Sequence, residues 1–425
     1  MVKMKLALAL SLGLLMTVPA LALDQLAERF VKLGLELGEY DPDYVDAYLG
    51  PSEWAEAAKG NLRSRDDLAG AISRLLSDLK EFSPTDSESI IRHRALLRNV
   101  RAMDTRVRMV SGETFSFAEE ARLIYDASLP DYEFSEFDRA LEEIAKLIPG
   151  EGDLAERVDA FRNTLLIPED RLDAVINLAI EECKQRTARH ISLPSSERFR
   201  LEYVNDKNWS GYNWYQGANV SHMQINLDFP VKIDRAVSLG CHEGYPGHHV
   251  WNVLVENRLL KEKGYMEYSI FPLFSPAGLI GEGSANYGVH LAFPGDEKIE
   301  YERDTLFPLA GLDPGKAAIL DKLNKLSLSL GHALTATAQL YLDGKITREE
   351  AIEQRRKYAL TSRARAEQSV GFIEQYRSYV LNYNLGQDIV KVYIEKQGDD
   401  QGSRWAAFER MLTELSSASD MTNPQ

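Results

Sequence analysis

Cysteine is scarce in this chain. Only Cys183 and Cys241 occur in 425 residues, so no disulfide framework holds the fold and stability must come from a packed core. Basic charge is scarce as well: 49 Lys and Arg face 65 Asp and Glu, a formal charge of -16. The acidic excess is spread along the chain, with no basic patch of the kind that nucleic acid or an anionic membrane surface requires. At most it suggests a mild preference for basic or neutral peptides. The N-terminal apolar run, Leu6 to Val18, has 13 residues, fewer than the ~20 that cross a bilayer as a helix. No repeat of fixed period and no low-complexity segment is found. What remains is ordinary globular material, 44% hydrophobic and 27% charged, long enough for one large or two ordinary domains.

Lys3 and Lys5 precede that apolar run, and Pro19 and the small-x-small triplet Ala20-Leu21-Ala22 follow it. This is the pattern of an export leader over residues 1–22, cleaved after Ala22. It implies a periplasmic or secreted protein. No cysteine follows the cleavage point to take a lipid, so no stable membrane anchor is expected. Export permits a bridge between Cys183 and Cys241, but Cys183 continues the apolar face of Leu172, Val175, Ile176, Ala179 and Ile180. It reads first as a packing residue.

From Leu23 to about His190 the periodicity is helical. Leu68, Ile72, Leu75, Leu76 and Leu79 recur at helix spacing, as do Phe137, Leu141, Ile144 and Ile148. Pro and Gly punctuate this scaffold, residues 23–195, at Gly50-Pro51, Ser83-Pro84, Pro149-Gly150 and Ile167-Pro168. Period two then takes over: Phe199, Leu201 and Tyr203, and after "NWSGYNWYQG" Met223, Ile225, Leu227 and Phe229. Two strands are expected, antiparallel, with one face buried. A helix follows from an N-cap at Asp234, and more are expected near 282–293, 314–342, 347–367 and 372–396. The fold class is mainly α with a small antiparallel β element, and 397–425 reads as a C-terminal helix and polar tail.

The helix from Asp234 carries "HEGYPGHH", His242 to His249, which holds three of the chain's eight histidines beside a glutamate. In H-E-x-x-H the histidines lie one turn apart and share a metal. Here Pro246 stands in the second histidine's place. On an undistorted helix at ~100° per residue, His248 points about 240° away from His242, and His249 returns to the same face about 10 Å further on. Pro246 opposes an undistorted helix, since it lacks an N–H and clashes with the preceding turn. If Pro246 and Gly247 loop out, His248 takes the second ligand position; if only a mild kink forms, His249 does. His248 is favoured. A third ligand is needed if zinc is to keep one open position. Glu282, in "GLIGEGSANYGVH", is the best candidate, although as a helix-opening acid it is equally readable as a favourable partner of the helix dipole.

"HEGYPGHHV" with "EGSANY" resembles the signature H-E-x-x-P-G-H-H followed by E-G-W-A-x-Y of the largely uncharacterised bacterial domain-of-unknown-function family 885. That family belongs with the glutamate zincins, mainly helical metallopeptidases. The resemblance implies Zn2+ held by His242, His248 and Glu282, with Glu243 as general base, in a metal-binding catalytic region over 196–396. A weaker match, "LNYNLGQ", puts Tyr383 and Gly386 at positions of a late Tyr-x-x-Gly segment. Ser284 departs from the family's Trp, and Tyr379 stands where a glutamine is expected.

The expected activity is hydrolysis of peptides by a metal-activated water. Tyr383 is the first choice as oxyanion donor, with Tyr379 and Arg377 as rivals. A non-peptide amide or ester substrate, or an inactive metal-binding scaffold, are the alternatives. "HMQINLDF" is a candidate edge strand for an extended peptide. Its His222 and Asn226 read more readily as solvent-facing than cleft-facing. His290 is a candidate partner behind the ligands but reads more readily as a packed histidine, His332 has no assignment, and His93 and His190 read as surface. Cys241, about 100° round the helix from His242, reads as packing.

Overall fold

The computed structural model describes residues 18–422 apart from 208, 229, 415 and 416. The expected leader over 1–22 falls mostly outside them, as do Phe229 and the last residues of the expected tail. The fold is mainly α, and among the described residues no helix is long and apolar enough to cross a membrane.

The expected helical scaffold forms. Leu68, Ile72, Leu75 and Leu79 are fully buried on the helix Arg65–Glu81, and Phe137, Leu141 and Ile144 are buried on Phe134–Leu147. Polar caps start several of these helices: Ser64 and Asp86 accept from the backbone N–H groups of Asp67 and Ser89, and Ser116 with Glu119 makes a reciprocal capping box.

Among the described residues, five short strands interrupt the helices: β1 (Val45–Tyr48), β2 (Arg198–Val204), β3 (Gly211–Tyr215), β4 (Val220–Asn226) and β5 (Ile270–Pro272). β1 pairs with β5 alone. The others form a three-stranded sheet in the order β2-β4-β3. β2 runs parallel to β4, where an antiparallel pair was expected, because β3 supplies the antiparallel partner. β3 lies within "NWSGYNWYQG" and is hard to see there. It buries Asn213 and Tyr215 and exposes Trp214, so a polar residue faces inward. The turn back to β4 places Gly217, Ala218 and Asn219 at positive φ.

Other boundaries also move. The helix carrying Glu282 is Pro276–Ala292, so Glu282 lies nearly two turns inside it and is not a helix-opening acid. Asp234 is the first helical residue of Asp234–Leu239, with Ile233 before it and no side-chain cap. The expected helix 347–367 divides at Leu360, with φ of 50°, into Arg348–Ala359 and Arg363–Tyr376. The next divides at Arg377, with φ of 52°, before Leu381–Glu395.

Cys183 and Cys241 form a disulfide with their Cα atoms 5.4 Å apart, so the packing role expected for each is replaced by a covalent one. The bond joins the helix Glu169–Ala188 to the turn bearing His242. Gly240 allows this approach, since a Cβ there would lie 3.1 Å from the Ile180 backbone N.

A second close approach joins Pro276–Ala292 to Leu381–Glu395. A Cβ on Gly283 would lie 2.4 Å from the Gly386 carbonyl oxygen, and one on Gly386 would lie 2.7 Å from the Leu279 oxygen. The glycine of the late motif is thus a crossing point that sets Tyr379 and Tyr383 beside Glu282. Gly386→Ala should lower stability by about 1–3 kcal/mol through overpacking. Urea unfolding reads this, and an unchanged midpoint would show that the helices do not cross so closely.

Candidate metal centre

The helix Asp234–Leu239 widens into a π-helical turn, Gly240–Gly244. Tyr245 is extended, the Tyr245–Pro246 peptide bond is cis, and a new helix, His248–Leu254, starts after Gly247. The Pro-Gly pair therefore leaves the helical path. A Cβ on Gly247 would fall 1.8 Å from the His242 carbonyl oxygen, so only glycine fits, and its N–H donates to the Cys241 oxygen at 3.0 Å.

This detour brings His248 back to His242. Their Nε2 atoms are 3.2 Å apart, and Glu282 Oε2 lies 3.4 Å from His242 Nε2 and 4.0 Å from His248 Nε2. For a tetrahedral ion with bonds of ~2.0–2.1 Å, donor atoms are separated by about 3.3 Å. Two sides of the triangle match that spacing and the third, from Glu282 to His248, is wider; Glu282 Oε2 is buried without a hydrogen-bond partner. Among the described residues, these three side chains are the group of His, Cys, Asp and Glu suited to hold a metal ion.

Two of the three corners are held from behind. His242 Nδ1 lies 3.0 Å from Asn286 Oδ1, an acceptor that puts the proton on Nδ1 and leaves the Nε2 lone pair facing the triangle. Asn286 Nδ2 donates in turn to the Tyr383 carbonyl at 2.9 Å. Tyr379 Oη donates to Glu282 Oε1 at 2.7 Å, which leaves Oε2 to face the histidines. Asn286 is not picked out by the motif reading, though it sits four residues after Glu282, one turn further along the same helix face; Tyr379 enters there only as a departure from the late motif and a rival oxyanion donor, and here it binds Glu282 instead. His290, a turn beyond, is solvent-exposed, and Asn286 holds the position expected of it.

The electrostatics are those of a buried acid–imidazole cluster. Burial and the Glu282 charge push the Glu243 carboxyl up to about 7, with His242 pulling the other way. Burial and the neighbouring His242 push His248 down to about 4. For His242 burial works downward, but Glu243 and Glu282 raise it overall. Burial works against the Glu282 anion, yet the two histidines and Tyr379 lower it. Glu243 Oε1 lies 3.9 Å from His242 Nε2, beside the triangle rather than in it. Its backbone carbonyl accepts from Asn213 Nδ2 at 2.5 Å, which ties it to β3.

His249 points away from the triangle. It is fully buried, with Nδ1 2.8 Å from Ser221 Oγ and Nε2 3.0 Å from Glu197 Oε1. Burial works against the Glu197 anion, but His249, Tyr245 and Lys184 hold it down to about 2. This network pins the helix His248–Leu254 to the sheet, and no spacing in the sequence marks Glu197 as part of it.

Tyr383 lines the cavity above the triangle. Burial and the charges of Glu282 and Glu243 raise its hydroxyl well above the usual tyrosine range, and it has no hydrogen-bond partner among the described residues. Arg377 is elsewhere, bound to the buried Glu120 at 2.8 and 2.6 Å, so it drops out as an oxyanion donor. β4 is the central strand and offers no edge; the strand edge beside Glu243 belongs to β3, whose Gly211, Tyr212 and Asn213 line the cavity. Asn226 is buried, donating to the Lys207 and Trp209 carbonyls, and His222 packs edge-on to Trp214. Of the remaining histidines, His332 pairs with Asp388 at 3.1 Å, His190 stacks exposed on Trp405, and His93, half-buried, reaches the Leu79 oxygen.

The geometry separates the two adjacent histidines experimentally. His248→Ala should lose bound zinc. His249→Ala should keep it while losing about 2–4 kcal/mol of stability, because Glu197 is left buried with fewer partners. Metal analysis and thermal unfolding of the two variants check this.

No protein-family model matches the chain, and no curated protein matches it. Among solved structures, it is similar to one described as "the putative lipoprotein from Colwellia psychrerythraea", with 17% identity, a TM-score of 0.51, and coverage of 84% of this chain and 71% of that one. It is also similar to one described as "BsuCP Crystal Structure", with 11% identity, a TM-score of 0.47, and coverage of 93% and 88%. The first likeness is one of fold.

Proposed function

We propose that this chain is a zinc-dependent hydrolase of the glutamate-zincin kind, acting on peptides and related to domain-of-unknown-function family 885. The observation that carries the reading is the buried, partnerless Glu282 Oε2 facing two imidazole nitrogens at 3.4 and 4.0 Å. A buried carboxylate oxygen without a donor is costly, and a cation shared with the two nitrogens removes that cost. His242, His248 and Glu282 would hold the ion. Zn2+ bound there supplies Lewis acidity that acidifies a water and polarises a carbonyl.

The chain's own groups then divide the remaining work. Glu243 accepts the proton of the attacking water and returns it to the leaving amine. Its place beside the triangle, 3.9 Å from His242 Nε2, suits a group that must both take and give a proton there. Tyr383, with its hydroxyl unengaged, donates to the oxyanion of the tetrahedral carbon. Tyr379 is spent on orienting Glu282. The free edge of β3 offers backbone groups to an extended peptide, and a cavity of about 1390 Å³ leaves room for several residues. Export is part of the proposal, supported by the leader pattern, by the Cys183–Cys241 bond and by the lipoprotein description of the first structural neighbour.

Glu243→Gln should retain stoichiometric zinc and lose peptide cleavage by about 10²–10⁴-fold; retained cleavage removes the general-base role. Tyr383→Phe should lower kcat by about 10²–10³-fold with little change in KM, measured on a peptide selected from a library digest.

A further inference from the structure

The cleft also carries a group of cations away from the metal triangle. Arg162 on the helix Leu154–Asn163, Lys232 just before and Arg235 within the helix Asp234–Leu239, Arg355 on Arg348–Ala359 and Arg365 on Arg363–Tyr376 all line the one cavity. In a chain of net charge -16 such a concentration runs against the overall sign. Acids lie among them as well: Asp159 is 3.4 Å from Lys232 Nζ, Asp234 accepts from Asn324 at 3.2 Å, and Glu302 and Asp321 line the same cavity near Asp234.

Arginines elsewhere in the interior are matched with carboxylates: the buried Arg92 with Glu267 and Arg106 with Asp41, and the half-buried Arg377 with Glu120. Arg355 is not. Its guanidinium reaches the Ser369 hydroxyl, its Nε is buried with no partner, and no carboxylate contacts it among the described residues. Arg162 likewise makes no side-chain hydrogen bond or ion pair there. Burial alone pushes Arg355 down to about 10, the mark of a cation lacking a counter-charge.

The cluster is joined to the metal centre by a continuous wall. Arg365, Gln368, Ser369, Phe372 and Tyr376 follow one face of their helix along the cavity, leading to Tyr379 and Tyr383. On the metal helix Arg235 lies seven residues before His242, roughly 10 Å at 1.5 Å per residue. An extended peptide covers that distance in about three residues.

We propose that this basic end of the cleft binds a carboxylate of the substrate, the free C-terminus of a peptide or an acidic side chain close to it, so that cleavage releases C-terminal fragments of about three residues. Arginine forks are well matched to carboxylates. The cleavage statement rests on the hydrolase reading; the binding statement does not.

Calorimetry on the zinc-loaded full chain carrying Glu243→Gln, which should not turn over, tests the binding. The probes are four N-acetylated hexapeptides of one sequence, with the C-terminus as acid or amide and the penultimate residue as Glu or Gln. The carboxylate forms should bind about 10- to 100-fold tighter, and whether the acid–amide or the Glu–Gln change matters identifies the source. Arg355→Gln and Arg162→Gln, each checked for native melting, should erase most of the preference, and Arg355→Lys should restore part of it. Equal affinity for all four peptides, or a preference undiminished in both glutamine variants, overturns the proposal. Carboxylate-selective binding of peptides that the wild-type protein never cleaves would uphold this site and sink the hydrolase reading; cleavage without any carboxylate preference would do the reverse.

Discussion

The contact on which the site depends is between Gly247 and the carbonyl of His242, where even a methyl group would sit 1.8 Å from oxygen. With the chain folded this tightly onto itself, two residues leave the helical path and His248 returns to face His242. A proline in a helix interior ordinarily costs about 3 kcal/mol. Here the helix has already widened and ended by Gly244, so Pro246 sits where no helical hydrogen bond is required.

Everything else around the triangle serves to hold that bent segment and aim its side chains. The Cys183–Cys241 bond fastens the first half to the scaffold, and the His249–Glu197–Tyr245 network fastens the second half to the sheet. Glu282 arrives on a separate helix whose depth is set by Gly283 against Gly386. The same crossing delivers Tyr379 to one oxygen of Glu282 and the Tyr383 backbone to Asn286. Site and fold are coupled through backbone contacts that only glycine permits, and loosening either helix crossing would misplace a ligand by more than a metal tolerates.

Most of the candidate site was readable in the sequence, because clustered histidines beside a glutamate are rare and a proline in helix interior demands a distortion. His242, Glu243 and His248 stand out on that account, whereas Glu282 stands out only through the resemblance, its spacing alone being equally open to a helix-dipole role. The mainly α class was readable from the 3.6-residue period in segments such as Leu68–Leu79. Less visible were groups whose meaning lies in what they touch. Asn286 and Tyr379 act through hydrogen bonds across elements, and Glu197 lies 52 residues from its histidine. β3 was hidden because it turns Asn213 inward, and the order β2-β4-β3 followed from that missing strand. The pairing of Cys183 with Cys241 needed the approach that Gly240 permits. The basic end of the cleft was masked for a different reason: its arginines come from four separate segments and vanish in a net charge summed over the chain.

The most direct measurement is the zinc K-edge X-ray absorption spectrum of the purified, zinc-loaded protein. The account predicts a first shell of nitrogen and oxygen only, at about 2.0–2.1 Å, with outer-shell scattering from two imidazoles. A sulfur shell near 2.3 Å, scattering from one or three imidazoles, or a protein that binds no zinc at all would contradict it.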